Sequence, residues 1–299
     1  MRIVEKCGIL VDKKGGDILK TGLVLEGGAM RGMFTAGVID VMMEHGIVFD
    51  GAIGVSAGAC FGCNYKSKQI GRAIRYNEQF CKDKRYCSLH SLITTGDLYG
   101  ADFCYRVIPE ELDIFDTKTF DENPMEFYVT CTDVKTGKAV YKLCASSENY
   151  LDWMRASASM PLASRVVEIN GGKYLDGGIS DSVPLAFFES IGYEKNVVVL
   201  TQPAQYRKKK SKLMPILSIA LRKYPNLLQA LATRHNVYND TISYIRQQEK
   251  AGKALVICPK EPLPVGHIEH DAKKLRKTYE LGRNEAELRM AELKRFLEA

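Results

Sequence analysis

The chain lacks any apolar run long enough to cross a bilayer. Its longest charge-free stretch, Gly51 to Tyr65, has 15 residues rich in Gly and Ala, against the ~20 a membrane helix requires. A leader signal is missing too: Met1 to Lys20 is broken by charge every few residues and has no apolar core or small-residue cleavage site, so a cytoplasmic protein is expected. Excess charge of one sign is small, 42 Lys+Arg against 36 Asp+Glu for a net +6, and no nucleic-acid partner follows from it. The nine cysteines are odd in number and scattered, with one C-x-x-C pair at Cys60 and Cys63. That pattern builds neither a disulfide framework nor a four-ligand zinc site, and it fits reduced thiols. Repeats and low-complexity tracts are absent. What remains is 299 residues of ordinary globular composition, 45% hydrophobic, enough for one large α/β domain.

Gly22 to Glu26 is a short apolar run leading into a glycine-rich turn, after which Phe34, Val38, Val41 and Met42 recur at helical spacing up to His45. The unit repeats, with Gly51 to Val55 as a strand, Ser56-Ala57-Gly58 as a tight turn and a helix toward Arg75 and Phe80. Two successive strand–turn–helix units predict a mostly parallel sheet covered by helices. Further strands are predicted at Phe127 to Thr132, Lys138 to Leu143, Val166 to Ile169, Lys173 to Leu175, Asn196 to Thr201 and Ala254 to Cys258. Residues 1–205 then form the α/β domain, completed by strand 254–258; 206–251 read as a helical insertion, and 269–299 as a long C-terminal helix. The stripe of Leu275, Tyr279, Gly282, Ala286, Met290, Leu293 and Leu297 would dock that helix on the sheet domain.

Gly54-Val55-Ser56-Ala57-Gly58 is a G-x-S-x-G between a strand and a helix, a context that bends sharply enough to lift a serine hydroxyl out of the backbone. Upstream, Glu26-Gly27-Gly28-Ala29-Met30-Arg31-Gly32 joins a strand to a helix, so backbone N–H groups gather at the positive end of a helix dipole. The loop is neither a Walker loop nor a dinucleotide fingerprint; beside a nucleophile elbow, an oxyanion hole is the natural reading. A serine needs a base. Asp176, at the end of a predicted strand and followed by Gly177 and Gly178, is one candidate; His267 and His270, which complete a Ser, Asp, His chain order, are the competing ones. Cys60 and Cys63, after the serine, read as small buried side chains on a helix rather than a redox pair.

Taken in order, E-G-G-A-M-R-G at 26–32, G-V-S-A-G at 54–58, S-A-S-M-P-L-A-S at 157–164 and D-G-G at 176–178 resemble the patatin-like phospholipase family over roughly residues 20–200. The resemblance implies a three-layer α/β/α sandwich and a Ser–Asp dyad without histidine. Ser56 would be the nucleophile, Asp176 the base, and the amides of Gly27, Gly28 and Ala29 the oxyanion hole. Arg31, Gly54, Gly58, Gly177 and Gly178 would support them. It implies hydrolysis of fatty acyl esters of (phospho)lipids through an acyl-enzyme, of the phospholipase A or lysophospholipase kind, with no metal and no cofactor. A lipid-binding or regulatory protein on the same fold, or an acyltransferase using the same serine, are the alternatives. Two positions depart from the family. Ala29 replaces a usual third Gly, which is tolerable if its φ stays negative; Ser182 stands where Asn is common. Outside the matched region, Arg207, Lys208, Lys209, Lys210 and Lys212 precede the apolar spacing of Leu213, Leu217 and Leu221. Two readings stand for that element: peripheral contact with anionic membrane surfaces, or a solvated loop leading into a helix that packs on the core.

Overall fold

The computed structural model describes residues 19–146 and 150–298, so Cys7 and nearly all of the Met1 to Lys20 stretch lie outside the described residues. The strands are β1 (Lys20–Leu25), β2 (Gly51–Val55), β3 (Glu126–Asp133), β4 (Ala139–Leu143), β5 (Val167–Ile169), β6 (Gly172–Asp176), β7 (Tyr193–Val199) and β8 (Ala254–Ile257). The helices are α1 (Gly32–Glu44), α2 (Ala57–Lys66), α3 (Arg72–Phe80), α4 (Leu89–Thr95), α5 (Thr117–Glu122), α6 (Tyr150–Ser157), α7 (Leu185–Ser190), α8 (Met214–Ala220), α9 (Pro225–Lys250) and α10 (Ala272–Glu298). All eight predicted strands form, with ends shifted by a few residues at most.

Strands β3, β2, β1, β7 and β8 run parallel in that spatial order, each β–α–β step returning the chain to the same edge of the sheet. Alternation along the strands decides the layers. Leu23, Leu25, Val197 and Val199 join one core with α1, α2, α3, α6 and α10; Val24, Ile53 and Val198 join a second core with α7 and α9 on the opposite face. The molecule is therefore a three-layer α/β/α sandwich with a mostly parallel sheet. The predicted C-terminal stripe does dock: Leu275, Tyr279, Gly282, Ala286, Met290 and Leu293 are buried. Gly282 belongs in that row because a Cβ there would sit 2.0 Å from the Phe34 carbonyl oxygen of α1.

The antiparallel part of the sheet positions the site. β4 runs along one edge of β3, pairing Tyr128 with Leu143 through Thr132 with Ala139. The other edge carries β2, whose last pair is Val55 with Thr130, and immediately beyond it β6, beginning with Asp176 opposite Cys131. β6 thus occupies the lane that β2 vacates when the chain turns away at Ser56. A residue 120 positions downstream is brought to the next register step after Val55.

Candidate active site

Ser56 adopts φ 54° and ψ −122°, a left-handed conformation that a side chain tolerates only where surrounding structure imposes it. The imposition is visible in the flanking glycines. A Cβ on Gly54 would meet the Ala59 nitrogen at 2.5 Å, and one on Gly58 the Leu25 carbonyl oxygen at 2.4 Å, so the turn closes only without those side chains. The Ser56 amide donates to Ser157 Oγ at 2.8 Å, and that hydroxyl donates onward to the Thr130 carbonyl at 2.6 Å. Ser159 of the same segment accepts the Asp176 amide at 2.8 Å through its carbonyl. The S-A-S-M-P-L-A-S stretch therefore clamps the serine turn and the Asp176 strand to one another.

Asp176 is 2% exposed. Its Oδ1 accepts the Gly178 amide at 2.7 Å, and its carboxylate faces the Ser56 hydroxyl closely enough for that group to favour the ionised form. Burial nevertheless dominates and raises the carboxyl above its ordinary pKa, opposed by Arg234, Ser56, the Gly178 amide and Lys208. Ser182 Oγ and the Arg234 guanidinium both donate to the Gly178 carbonyl, holding the loop that follows Asp176. The departure at Ser182 thus leaves that loop supported.

The loop after β1 lies against this pair, Gly27 so near that a Cβ there would stand 3.0 Å from the Ser56 Cβ. Gly27, Gly28 and Ala29 line the space in front of Ser56, and no described group accepts a hydrogen bond from their amides. Ala29 has φ 48°, so the condition of a negative φ is not met: the loop keeps the conformation a glycine would adopt and carries about 1–2 kcal/mol of strain for its methyl group. Glu26 anchors the loop from below, accepting the Thr201 amide and hydroxyl on one oxygen and the Tyr238 hydroxyl at 2.9 Å on the other.

Of the competing bases, His270 lies elsewhere, its Nδ1 bonded to the Cys81 carbonyl at 2.6 Å. His267 borders the cavity but makes no described hydrogen bond to Ser56 or Asp176, and burial together with Arg31, Arg234 and Lys208 lowers its pKa. Cys60 and Cys63 are free thiols on α2, pushed up to about 11 and about 12 by burial, as expected of inert side chains.

Two cavities meet at Ser56. The larger, about 480 Å³, runs beneath the serine between α2, α6 and the π-helical segment Phe103–Leu112, and its wall includes Phe61, Tyr76, Tyr105, Ile108 and Met154. The smaller, about 260 Å³, is bounded by Arg31, Asp176, Lys208, Arg234, His235 and Tyr238. Lys208, Arg234 and Tyr238 belong to the segment read as an insertion, which carries no motif; reasoning from sequence missed them. One signal was available. Leu231, Tyr238, Ile242 and Ile245, all buried, mark the inward stripe of α9, and Arg234 lies on the same stripe one turn from Leu231 and Tyr238. Lys208, expected to face a membrane with its basic neighbours, turns inward, its Nζ 4.2 Å from the centre of the Tyr238 ring. No group of metal-ligating side chains occurs among the described residues, and no described helix is long and apolar enough to cross a membrane.

The profile of the family described as patatin-like phospholipase matches residues 23–188, and that of a domain of unknown function, DUF6363, matches residues 224–298. The Escherichia coli protein YjjU is 30% identical over 277 residues, covering 88% of this chain and 75% of its own. Lysophospholipase nte1 of Emericella nidulans is 30% identical over 184 residues, 57% of this chain but 11% of that longer protein. The crystal structure of VipD from Legionella pneumophila aligns over 93% of this chain and 67% of its own, at 14% identity and a TM-score of 0.46. With more than half of its length matched by the family profile, and the four motifs in order around one cleft, the chain belongs to the patatin-like phospholipases, a family of lipid ester hydrolases.

Proposed function

We propose that the protein is a serine hydrolase that cleaves fatty acyl esters of lipids through a Ser56–Asp176 dyad. The observation that carries this reading is the placement of an ionisable, fully buried Asp176 against the hydroxyl of a strained Ser56, at the mouth of an apolar cavity. Ser56 Oγ attacks the ester carbonyl while Asp176 takes its proton; the unpartnered amides of Gly27, Gly28 and Ala29 receive the carbonyl oxygen as it becomes negative. Collapse of the tetrahedral intermediate breaks the ester C–O bond, and Asp176 returns the proton to the departing alcohol. Water, deprotonated by the same carboxylate, then attacks the acyl-Ser56 ester and releases the fatty acid. The raised pKa of Asp176 makes it a better proton acceptor than an ordinary aspartate.

The apolar cavity serves the acyl chain, each buried methylene contributing about 0.8 kcal/mol of binding. Leu213 borders the cavity and is 53% exposed, and Ile216 and Ile219 of α8 are 56% and 75% exposed, close in sequence to exposed Arg207, Lys209, Lys210 and Lys212. Together they form the surface on which the protein meets an anionic membrane. Fatty acid release from a single-chain lysophospholipid tests the activity. Wild-type protein is expected to release it, and Ser56→Ala and Asp176→Asn to do so at least 10³-fold more slowly; equal release by Ser56→Ala refutes the reading. Sedimentation with anionic and with neutral vesicles tests the membrane surface. Replacing Arg207, Lys209, Lys210 and Lys212 together by Gln is expected to abolish the preference for anionic vesicles, and an unaltered preference refutes that role.

A further inference from the structure

The smaller cavity gathers more cations than carboxylates. Arg31 comes from the loop after β1, Lys208 from the segment after β7 and Arg234 from α9, and all three border the same 260 Å³ space beside Ser56. None of them forms an ion pair with a carboxylate among the described residues. The Arg31 Nε is buried without a hydrogen-bond partner among the described residues. Arg234 spends one N–H on the Gly178 carbonyl, and the two nearby carboxylates are committed, Glu26 to Thr201 and Tyr238, Asp176 to Gly178 and Ser56. Three cations face two carboxylates here, and the cost of crowding shows on the weakest base of the three: burial, then Arg234 and Arg31, outweigh the opposing pull of Glu26 and Asp176 and bring Lys208 down to about 7. An anion in this space would offset that crowding.

We infer that this chamber, formed by Arg31, Lys208 and Arg234, binds the phosphate of the substrate's headgroup and selects phospholipids of net negative headgroup over zwitterionic and uncharged ones. The inference rests on the hydrolase reading and adds the substrate class. Its geometry follows from the shared wall: Ser56, Ala29, Met160, Arg234 and His267 all border both cavities, so an ester carbonyl at Ser56 would have its acyl chain on the apolar side and its glycerophosphate on the side of Arg31 and Lys208, with Arg234 between. A quaternary ammonium would need an aromatic face. One face of the Tyr238 ring is taken by Lys208, and the three cations around the chamber would repel choline's own positive charge. Two of the three cations lie outside the residues matched by the patatin-like profile, and Arg234 lies in the region of unknown function. The segments beyond the matched core would thus supply two of the three groups that select the headgroup.

The test uses the full chain and three substrates with one identical acyl chain: 1-acylglycerol 3-phosphate, 1-acylglycerol-3-phosphocholine and 1-acylglycerol. The phosphomonoester is expected to show kcat/KM at least tenfold above the other two, through KM. Lys208→Gln is expected to cut that preference about tenfold, and Lys208→Arg to restore most of it. Calorimetric titration with glycerol 3-phosphate reads the chamber independently of turnover, with binding to wild type and at least tenfold weaker binding to Lys208→Gln. Hydrolysis without headgroup preference, or a preference untouched in Lys208→Gln, overturns the inference while leaving the hydrolase intact. Glycerol 3-phosphate binding without hydrolysis of any substrate overturns the hydrolase reading, and with it the headgroup assignment. Inorganic phosphate binding as tightly as glycerol 3-phosphate, with no preference among the three lipids, assigns the chamber to free phosphate and also overturns it.

Discussion

The two cavities that share Ser56 are built on opposite principles. The apolar one is lined largely from residues 56–164, with side chains that bury one another as well as the cavity, so an empty state costs only the missing contacts of a void. The cationic one gathers Arg31, Lys208 and Arg234 from three distant segments beside only two carboxylates, Glu26 and Asp176, both already hydrogen-bonded. A hydrophobic pocket can sort ligands by size alone, because a methylene more or less changes binding by about 1 kcal/mol. A pocket of unpaired charges sorts by chemistry, since the wrong headgroup leaves the charges as unsatisfied as before. On the proposed reading, the region carrying the family motifs holds the reaction, and discrimination between lipids draws on Lys208 and Arg234 from the C-terminal third together with Arg31.

The comparison breaks most decisively at the shared point. Removing the hydroxyl in Ser56→Ala, or the charge in Asp176→Asn, is expected to lower turnover of all substrates by at least 10³-fold without regard to headgroup or chain length. Narrowing the apolar side alone has a smaller and selective effect. Ala101→Trp, at a half-buried position on that wall, is expected to cut kcat/KM for a sixteen-carbon ester about 10- to 100-fold while a four-carbon ester changes less than threefold, as comparison of the two esters will read. The pH profile then separates the chambers. Turnover of a neutral ester should fall as pH drops through the raised pKa of Asp176, faced by Ser56, the Gly178 amide, Arg234 and Lys208. Its acid limb is therefore expected above the ordinary aspartate range near 3.8. The preference for a phosphate-bearing ester should instead fade on the alkaline side, above about 7 and displaced upward by the bound anion, as Lys208 loses its proton among Glu26, Arg31, Asp176, Arg234, Tyr238 and His267. Least of all, Ala29→Gly is expected to relieve the strain at φ 48° and raise stability by at most about 1 kcal/mol, since glycine's freedom in the unfolded chain offsets part of the gain. Denaturant unfolding checks it.

How much of this was legible in the chain follows from the range of the interactions. Strand, elbow and oxyanion loop are local: the bend at Ser56 needs Gly54 and Gly58 within two residues, and that requirement is written in the sequence itself. The meeting of Ser56 with Asp176 depends on β6 entering the lane beyond Val55, a register choice spread over β3, β4 and β6; spacing alone left Asp176 and the two histidines as rival bases. Ser157 and Ser159 were visible only as part of a motif, with no hint that one clamps the serine amide and the other the aspartate strand. Lys208 was legible as charge and misread in direction, because a run of basic residues signals a surface and does not say which member turns inward toward Tyr238. Arg234 is one polar residue among many on a long helix, distinguished only by the buried neighbours on its stripe.

The central claim is that Ser56 is activated by Asp176 with no histidine in between. The most direct measurement is the rate at which a fluorophosphonate adds to Ser56, followed by intact-mass spectrometry on wild-type, Asp176→Asn and His267→Ala proteins. A single adduct on Ser56, slowed by orders of magnitude in Asp176→Asn and unchanged within about twofold in His267→Ala, is the predicted result. Labelling that survives in Asp176→Asn and disappears in His267→Ala would contradict it.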